Sequence, residues 1–179
     1  MHIREADPRA DAAACAGIYA PYISDSVATF EEAPVPADEM ARRMAASYDW
    51  LVAERDGAVI GYAYASRHHP RAAYRWAADV AVYVDLAHRG AGVGRALYGE
   101  LIPRLRDLGL WMLCAGVTIP NAASEGLHRA MGFEPVGTWR NIGYKHGAWH
   151  DVAWFQLDLR PAGRAATTPP QEPRFSAGA

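Results

Sequence analysis

The sequence predicts a single α+β domain over residues 1–160. Three observations support this reading. Apolar strand-like runs alternate with amphipathic helical stretches, an Asp56-Gly57 hairpin signal lies in the first half, and a glycine-rich strand-to-helix turn occupies the middle. With 179 residues, 51% apolar and 21% charged, the chain can bury one ordinary core without staples.

Taken in order, His2 to Ala6 is a short opening strand, and Asp7-Pro8 starts a helix with Ala12, Cys15, Ile18 and Tyr19 at helical spacing. Pro21 is expected to end or kink it. After a loop containing Ser26, Thr29 and Phe30, Pro36-Ala37-Asp38-Glu39 opens a second helix. Trp50 to Glu54 and Ala58 to Ala65 form the hairpin. A basic, histidine-bearing loop from Arg67 to Tyr74 precedes a strand at Asp79 to Val84. That strand places Val80, Val82 and Val84 on one face and Asp79, Ala81 and Tyr83 on the other.

The turn His88 to Gly94 leads into a helix with Leu97, Leu101, Leu105 and Leu108 in one stripe, stopped at Gly109. Trp111 to Thr118 is apolar throughout, as a strand covered on both faces should be. Pro120-Asn121 begins a helix ended by Gly132. Phe133 to Ile142 and Val152 to Leu159 read as closing strands around a polar loop, Gly143 to Asp151. From Pro161 to Ala179 the composition is that of a disordered tail.

Composition excludes several classes of function. The net charge of −2 asks for neither a nucleic acid nor an anionic membrane. Cys15 and Cys114 are too few for a disulfide framework or a metal site and read as small buried hydrophobes. The stretch Met1 to Ala6 lacks an apolar signal core, and no apolar run approaches the ~20 residues of a membrane span. The expectation is a soluble, cytoplasmic protein.

Arg89-Gly90-Ala91-Gly92-Val93-Gly94 carries the chemistry. Glycines let the backbone approach a pyrophosphate, N–H groups converge, and the helix start adds its positive end. Arg89 and Arg95 add charge-assisted donors. No Gly-Lys-Ser/Thr follows, which excludes a Walker loop, and the mid-chain strand without a matching acidic partner disfavours a dinucleotide fingerprint. Taken alone, the turn is also compatible with a tight helix cap.

Arg-x-x-Gly-x-Gly after Val82-Tyr83-Val84 resembles the acetyl-CoA loop of the GNAT acetyltransferases, and Asn121-Ala122-Ala123-Ser124 with Met131-Gly132-Phe133 resembles their second segment. Ser26 to Phe30, Trp50 to Glu54, Ala73 to Trp76 and above all Gly143 to Val152 are similar to the phosphinothricin and methionine-sulfone branch. The resemblance spans about residues 2–160. It implies an α/β/α sandwich: a mixed, mostly antiparallel twisted sheet with a splayed central strand pair and helices on both faces. It also implies acetyl-CoA as co-substrate, no metal, and a homodimer.

By that resemblance the acetyl group passes directly to the primary amine of a small amino-acid-like substrate, without a covalent enzyme intermediate. Val82, Tyr83 and Val84 would supply backbone groups to pantetheine and the oxyanion. Residues Arg89, Gly90, Ala91, Gly92, Val93, Gly94 and Arg95 would hold the pyrophosphate, and Asn121 and Ser124 the pantetheine arm, although Asn121 suits a helix cap equally. Asp79 stands where the family usually places glutamate, one methylene longer, so a water or a backbone shift would have to make up the reach. Strand-end hydrogen bonding is its ordinary alternative.

His128 replaces the wider superfamily's tyrosine acid, as in the phosphinothricin branch, and imidazole suits proton transfer in either direction. Arg71 and Arg75 are candidate carboxylate clamps, with Tyr74 and Phe30 as pocket walls. His146, His150 and Asp151 lack a zinc-ligand pattern, and His68-His69 is equally unconvincing as a metal site. Two other activities compete: acetylation of protein or peptide amines, and non-catalytic acyl-CoA binding.

Overall fold

The computed structural model describes residues 1–160 and 171–174. Its strands are β1 (His2–Glu5), β2 (Asp49–Arg55), β3 (Ala58–Arg67), β4 (Ala77–Val84), β5 (Met112–Ile119), β6 (Glu134–Lys145) and β7 (Ala148–Asp158). The helices are α1 (Pro8–Ser24), α2 (Ala37–Ala45), α3 (Val93–Asp107) and α4 (Ala122–Ala130). The strands form one sheet in the order β1-β2-β3-β4-β5-β7-β6. Only β4 and β5 run parallel, because α3 carries the chain back between them as parallel pairing requires.

Two cores flank the sheet. Leu97, Leu101 and Leu105 of α3 are fully buried against Ala63, Val80, Leu113 and Phe155. On the other face α1 and α2 bring Ile18, Tyr19, Met40 and Met44 onto Trp50, Val52 and Tyr62. The period-2 alternation of β4 is observed: Val80 and Val82 join the first core and Tyr83 the second. Buried Asp11 ties α1 to β1 through two hydrogen bonds from Arg4, at 2.7 and 2.9 Å.

Two boundaries differ most from the sequence expectation. Helix α1 runs through Pro21 to Ser24, and the Asp25 N–H bonds the Pro21 carbonyl at 3.0 Å. The residue four before the proline is Gly17, which lies on the exposed side, so its carbonyl, left without the i→i−4 donor, falls at the surface. Likewise, most of the expected polar loop Gly143 to Asp151 is strand. β6 continues to Lys145 and β7 resumes at Ala148 through His146-Gly147, both at positive φ (50° and 77°). That is the two-residue turn whose twist matches a hairpin, with His146 in place of the usual Asn or Asp.

The stretch read as a disordered tail lies mostly outside the described residues. Its described part, 171–174, rests on the body: Trp76 Nε1 donates to the Gln171 carbonyl (2.7 Å), and the Arg174 N–H to the Leu108 carbonyl (2.7 Å). Pro173 packs against Gly109.

Candidate active site

The site is made by strands that separate. β4 and β5 pair only over Ala77↔Met112, Ala78↔Leu113 and Asp79↔Cys114. Past that point β4 stays with β3 as far as Val84, while β5 follows β7 as far as Ile119. A cleft of about 710 Å³ opens between them, lined by Val80 to Val84, the glycine turn, Gly116 to Thr118 and α4. Asp79 and Cys114 stand at its vertex.

The glycine turn closes the opposite end. Gly90 and Gly92 adopt φ of +75° and +78°, and a Cβ on either would project into open space, leaving the backbone bare. The first backbone bond of α3 runs from the Ala96 N–H to the Gly92 carbonyl (3.0 Å). The N–H groups of Val93, Gly94 and Arg95 therefore precede the ladder and are free for an anion at the helix start. Arg89 stands over the Tyr22 ring, 4.9 Å from its centroid. Ala91 and Arg95 are exposed beside it. Bare backbone, helix start and exposed guanidinium fit a pyrophosphate.

Along β4, the Asp85 N–H bonds the Ile60 carbonyl on β3. Backbone direction alternates, so Val80, Val82 and Val84 turn their N–H and C=O toward the β5 side. At Val84 these groups are occupied: the Tyr22 hydroxyl donates to its carbonyl (2.6 Å) and accepts from its N–H (3.3 Å). Val82, beyond the end of the β4–β5 ladder, presents N–H and C=O to the cleft. Tyr83 is turned the other way, its backbone toward β3 and its ring against Tyr19 and Tyr22.

On α4, Asn121 is the N-cap, its Oδ1 accepting from the Ser124 N–H at 3.1 Å, and both residues line the cleft. The cap thus occupies the oxygen of Asn121 and leaves its amide NH₂ available as a donor. His128 is buried, between the rings of Phe133 and Phe155. Its Nδ1–H donates to the Ser124 carbonyl (2.8 Å), so Nε2 accepts from the Tyr98 hydroxyl at 3.3 Å. Burial lowers the His128 pKa, opposed by the Ser124 bond, and so favours the neutral imidazole. In this tautomer the transferable proton beside the cleft sits between Nε2 and Tyr98.

At the vertex, Asp79 Oδ1 lies 2.7 Å from His68 Nδ1. Polar atoms of His68, Asp79 and Cys114 all lie within 4.8 Å of one another. Burial raises the Asp79 carboxyl above the usual range, while the His68 hydrogen bond and charge pull it down. Burial also pushes the Cys114 thiol up to about 11, so it is protonated at neutral pH. In the sequence His68 stands out only as an unconvincing metal ligand. The signal was its position just past the end of β3, whose register sets Ser66 opposite Asp79.

The four residues expected to bind the acceptor separate. Tyr74 stands beside His68 and His69, with ring centroids at 5.8 and 4.8 Å. Phe30 packs on Gly143, 6.4 Å from the His150 ring. Arg75 turns away from the vertex: it stacks on Trp76 (4.3 Å) and pairs with Glu172 (3.0 Å). The Arg71 side chain makes no hydrogen bond or ion pair among the described residues; its backbone N–H bonds His69 Nδ1 and its carbonyl accepts from the Tyr74 N–H. Lys145, the sole lysine and unforeseen at the site, is buried and donates to the Thr29 carbonyl at 2.8 Å, fastening the Phe30 loop to the hairpin.

A bare-backbone anion turn, a strand cleft and a titratable vertex define an acyl-CoA-dependent transferase. The chain belongs to the GNAT acetyltransferase family, whose domain model matches residues 4–154. It is 40% identical over 153 residues to phosphinothricin N-acetyltransferase of Streptomyces viridochromogenes, covering 84% of each chain. It is 35% identical over 163 residues to L-methionine sulfoximine/L-methionine sulfone acetyltransferase of Salmonella typhimurium, covering 89% of this chain and 95% of that one. The solved structure of a GNAT superfamily phosphinothricin acetyltransferase from Sinorhizobium meliloti in complex with acetyl-CoA superposes with a TM-score of 0.88 at 39% identity. That match covers 96% of this chain and 93% of the other. Acetyl-CoA is the co-substrate, and the activity is N-acetyl transfer.

Proposed function

We propose that the acceptor is the primary amine of a small amino-acid-like molecule of the phosphinothricin, methionine sulfone or methionine sulfoximine class. The observation that carries this is the lining of the acceptor side: Tyr74, His68 and Asp79 gather at the vertex, and the loop before Phe30, tied by Lys145 to the β6–β7 hairpin, lines the cleft with Ser26, Val27 and Ala28. Such walls suit a compact acid, whereas a protein terminus needs an open groove. The names of the two relatives quoted above support the same class.

In this reading the turn from Arg89 to Arg95 binds the pyrophosphate, Asn121 and Ser124 position the pantetheine arm, and the Val82 N–H stabilises the oxyanion. Asp79 anchors removal of the amine proton. His128, with Tyr98, serves the departing thiolate. Arg71 is the guanidinium left to meet a substrate carboxylate. A second copy covers the exposed β6 edge, making a homodimer.

The test is a coenzyme A release assay across L-amino acids, L-methionine sulfone, L-methionine sulfoximine, phosphinothricin, polyamines and short peptides. Turnover concentrated in the amino-acid analogues is expected. A preference for peptides would transfer the chain to the protein-modifying class.

A further inference from the structure

We propose that His68 is the base that accepts the proton of the acceptor amine, and that Asp79 is its orienting partner. This rests on the acetyl-transfer reading above and deepens it.

An ionised carboxylate only accepts hydrogen bonds, so the 2.7 Å contact places a proton on His68 Nδ1 and a lone pair on Nε2. No group among the described residues hydrogen-bonds Nε2. Both side chains remain partly open, His68 at 28% and Asp79 at 36% exposure, so an incoming amine can reach the ring. The pair also stands where the chemistry has to occur. Asp79 holds the last rung of the β4–β5 ladder and directly precedes Val80, the first β4 residue lining the cleft.

The division of labour follows from the side chains. Aspartate is short, and this one is already occupied by the imidazole. An imidazole titrates near neutrality and suits proton transfer from an ammonium better than a carboxylate does. A carboxylate behind it fixes the tautomer and stabilises the imidazolium that forms, as in hydrolytic triads. The other titratable groups at the vertex do not compete. Cys114 on β5 titrates only at about 11, and Tyr64 on β3 is pushed up to about 12 by burial. His69 and Tyr74 face each other in the preceding loop, 4.8 Å between centroids.

The proton count closes. The ammonium gives one proton to His68 Nε2, and the freed nitrogen pair attacks the thioester carbon. The C–N bond forms and the C–S bond breaks with its electron pair on sulfur. The nitrogen then loses its second proton, which equals the one the thiolate takes up, and His68 returns the first to solvent. Ammonium plus acetyl-CoA thus gives amide, free thiol and one released proton.

Full-length protein and its His68→Gln variant are compared by acetyl-CoA titration calorimetry, thermal melting, and the pH profile of kcat/KM with L-methionine sulfone or whichever analogue the wild type acetylates. The expected result for His68→Gln is a loss of about 10²–10³-fold in kcat/KM for the acceptor. Acetyl-CoA affinity and Tm stay at the wild-type level, and the acid-side inflection of the wild-type profile disappears. Activity within about threefold of wild type overturns the proposal, and so does a loss of rate that leaves the inflection in place. Wild-type turnover with an unimpaired variant sinks the dyad alone. A wild type that binds no acetyl-CoA and turns over no amine sinks the acetyl-transfer reading and the dyad with it.

Discussion

At the scale of single residues, Gly143 shows how tightly the acceptor side is assembled. A Cβ built there runs directly into the Phe30 ring. The ring is on a loop and partly exposed, so it can swing aside, and the cost falls on the pocket wall rather than on the core. Gly143→Ala is therefore expected to raise KM for the acceptor several-fold, about 1 kcal/mol of binding, while leaving the acetyl-CoA KM and Tm nearly unchanged. Steady-state kinetics in both substrates check this, and an equal rise in both KM values would argue against it. Lys145 gains its role only in the fold. In the sequence it is merely the sole lysine, yet its ammonium is buried on the Thr29 carbonyl.

At the scale of elements, the turn between β4 and α3 and the separation of β4 from β5 depend on one another. The turn can hold a pyrophosphate only at the cleft mouth, and the cleft exists because β5 follows β7. Gly92 is the N-cap of α3 at φ +78°, a conformation that costs an L side chain about 1–2 kcal/mol. Its missing Cβ would also project into the space left for phosphate. Gly92→Ala should weaken acetyl-CoA binding by about tenfold or more, with kcat at saturating co-substrate changed much less. Calorimetry with acetyl-CoA measures this, and unchanged affinity would place the pyrophosphate elsewhere.

At the scale of the whole molecule, the β6 edge stands out. Nearly every residue of β6 is exposed, including Val136 (61%), Trp139 (55%) and Ile142 (52%), and Trp149 on β7 is 61% exposed. An unprotected edge with this apolar content is the kind that natural proteins cover. A homodimer through this edge is expected in sedimentation equilibrium, with Trp139→Glu shifting it to monomer. A monomeric wild type at micromolar concentration would remove the dimer from the account. The segment 171–174 lies elsewhere, against Trp76 and the end of α3.

Much of this is legible in the sequence. The Asp56-Gly57 hairpin, the leucine stripe of α3 and the apolar run of β5 are local patterns, set by turn chemistry and side-chain period within a few residues. The glycine turn was legible for the same reason, because positive φ and a bare backbone are written in residue type. The run Gly143 to Val152 points to the family, yet the loop expected over Gly143 to Asp151 is mostly strand, since a turn closed by His146 lacks the usual Asn or Asp.

What needed the fold were contacts between residues far apart in the chain. Tyr22 occupies the Val84 backbone across 62 positions, which leaves Val82 as the group facing the cleft. Arg75 is taken by Glu172, and Lys145 reaches Thr29. His68 meets Asp79 only because β3 and β4 pair in one register. Residue type and spacing record what each side chain is able to do. Which partner it finds depends on loop closure and strand register, and these are properties of the packed sheet as a whole.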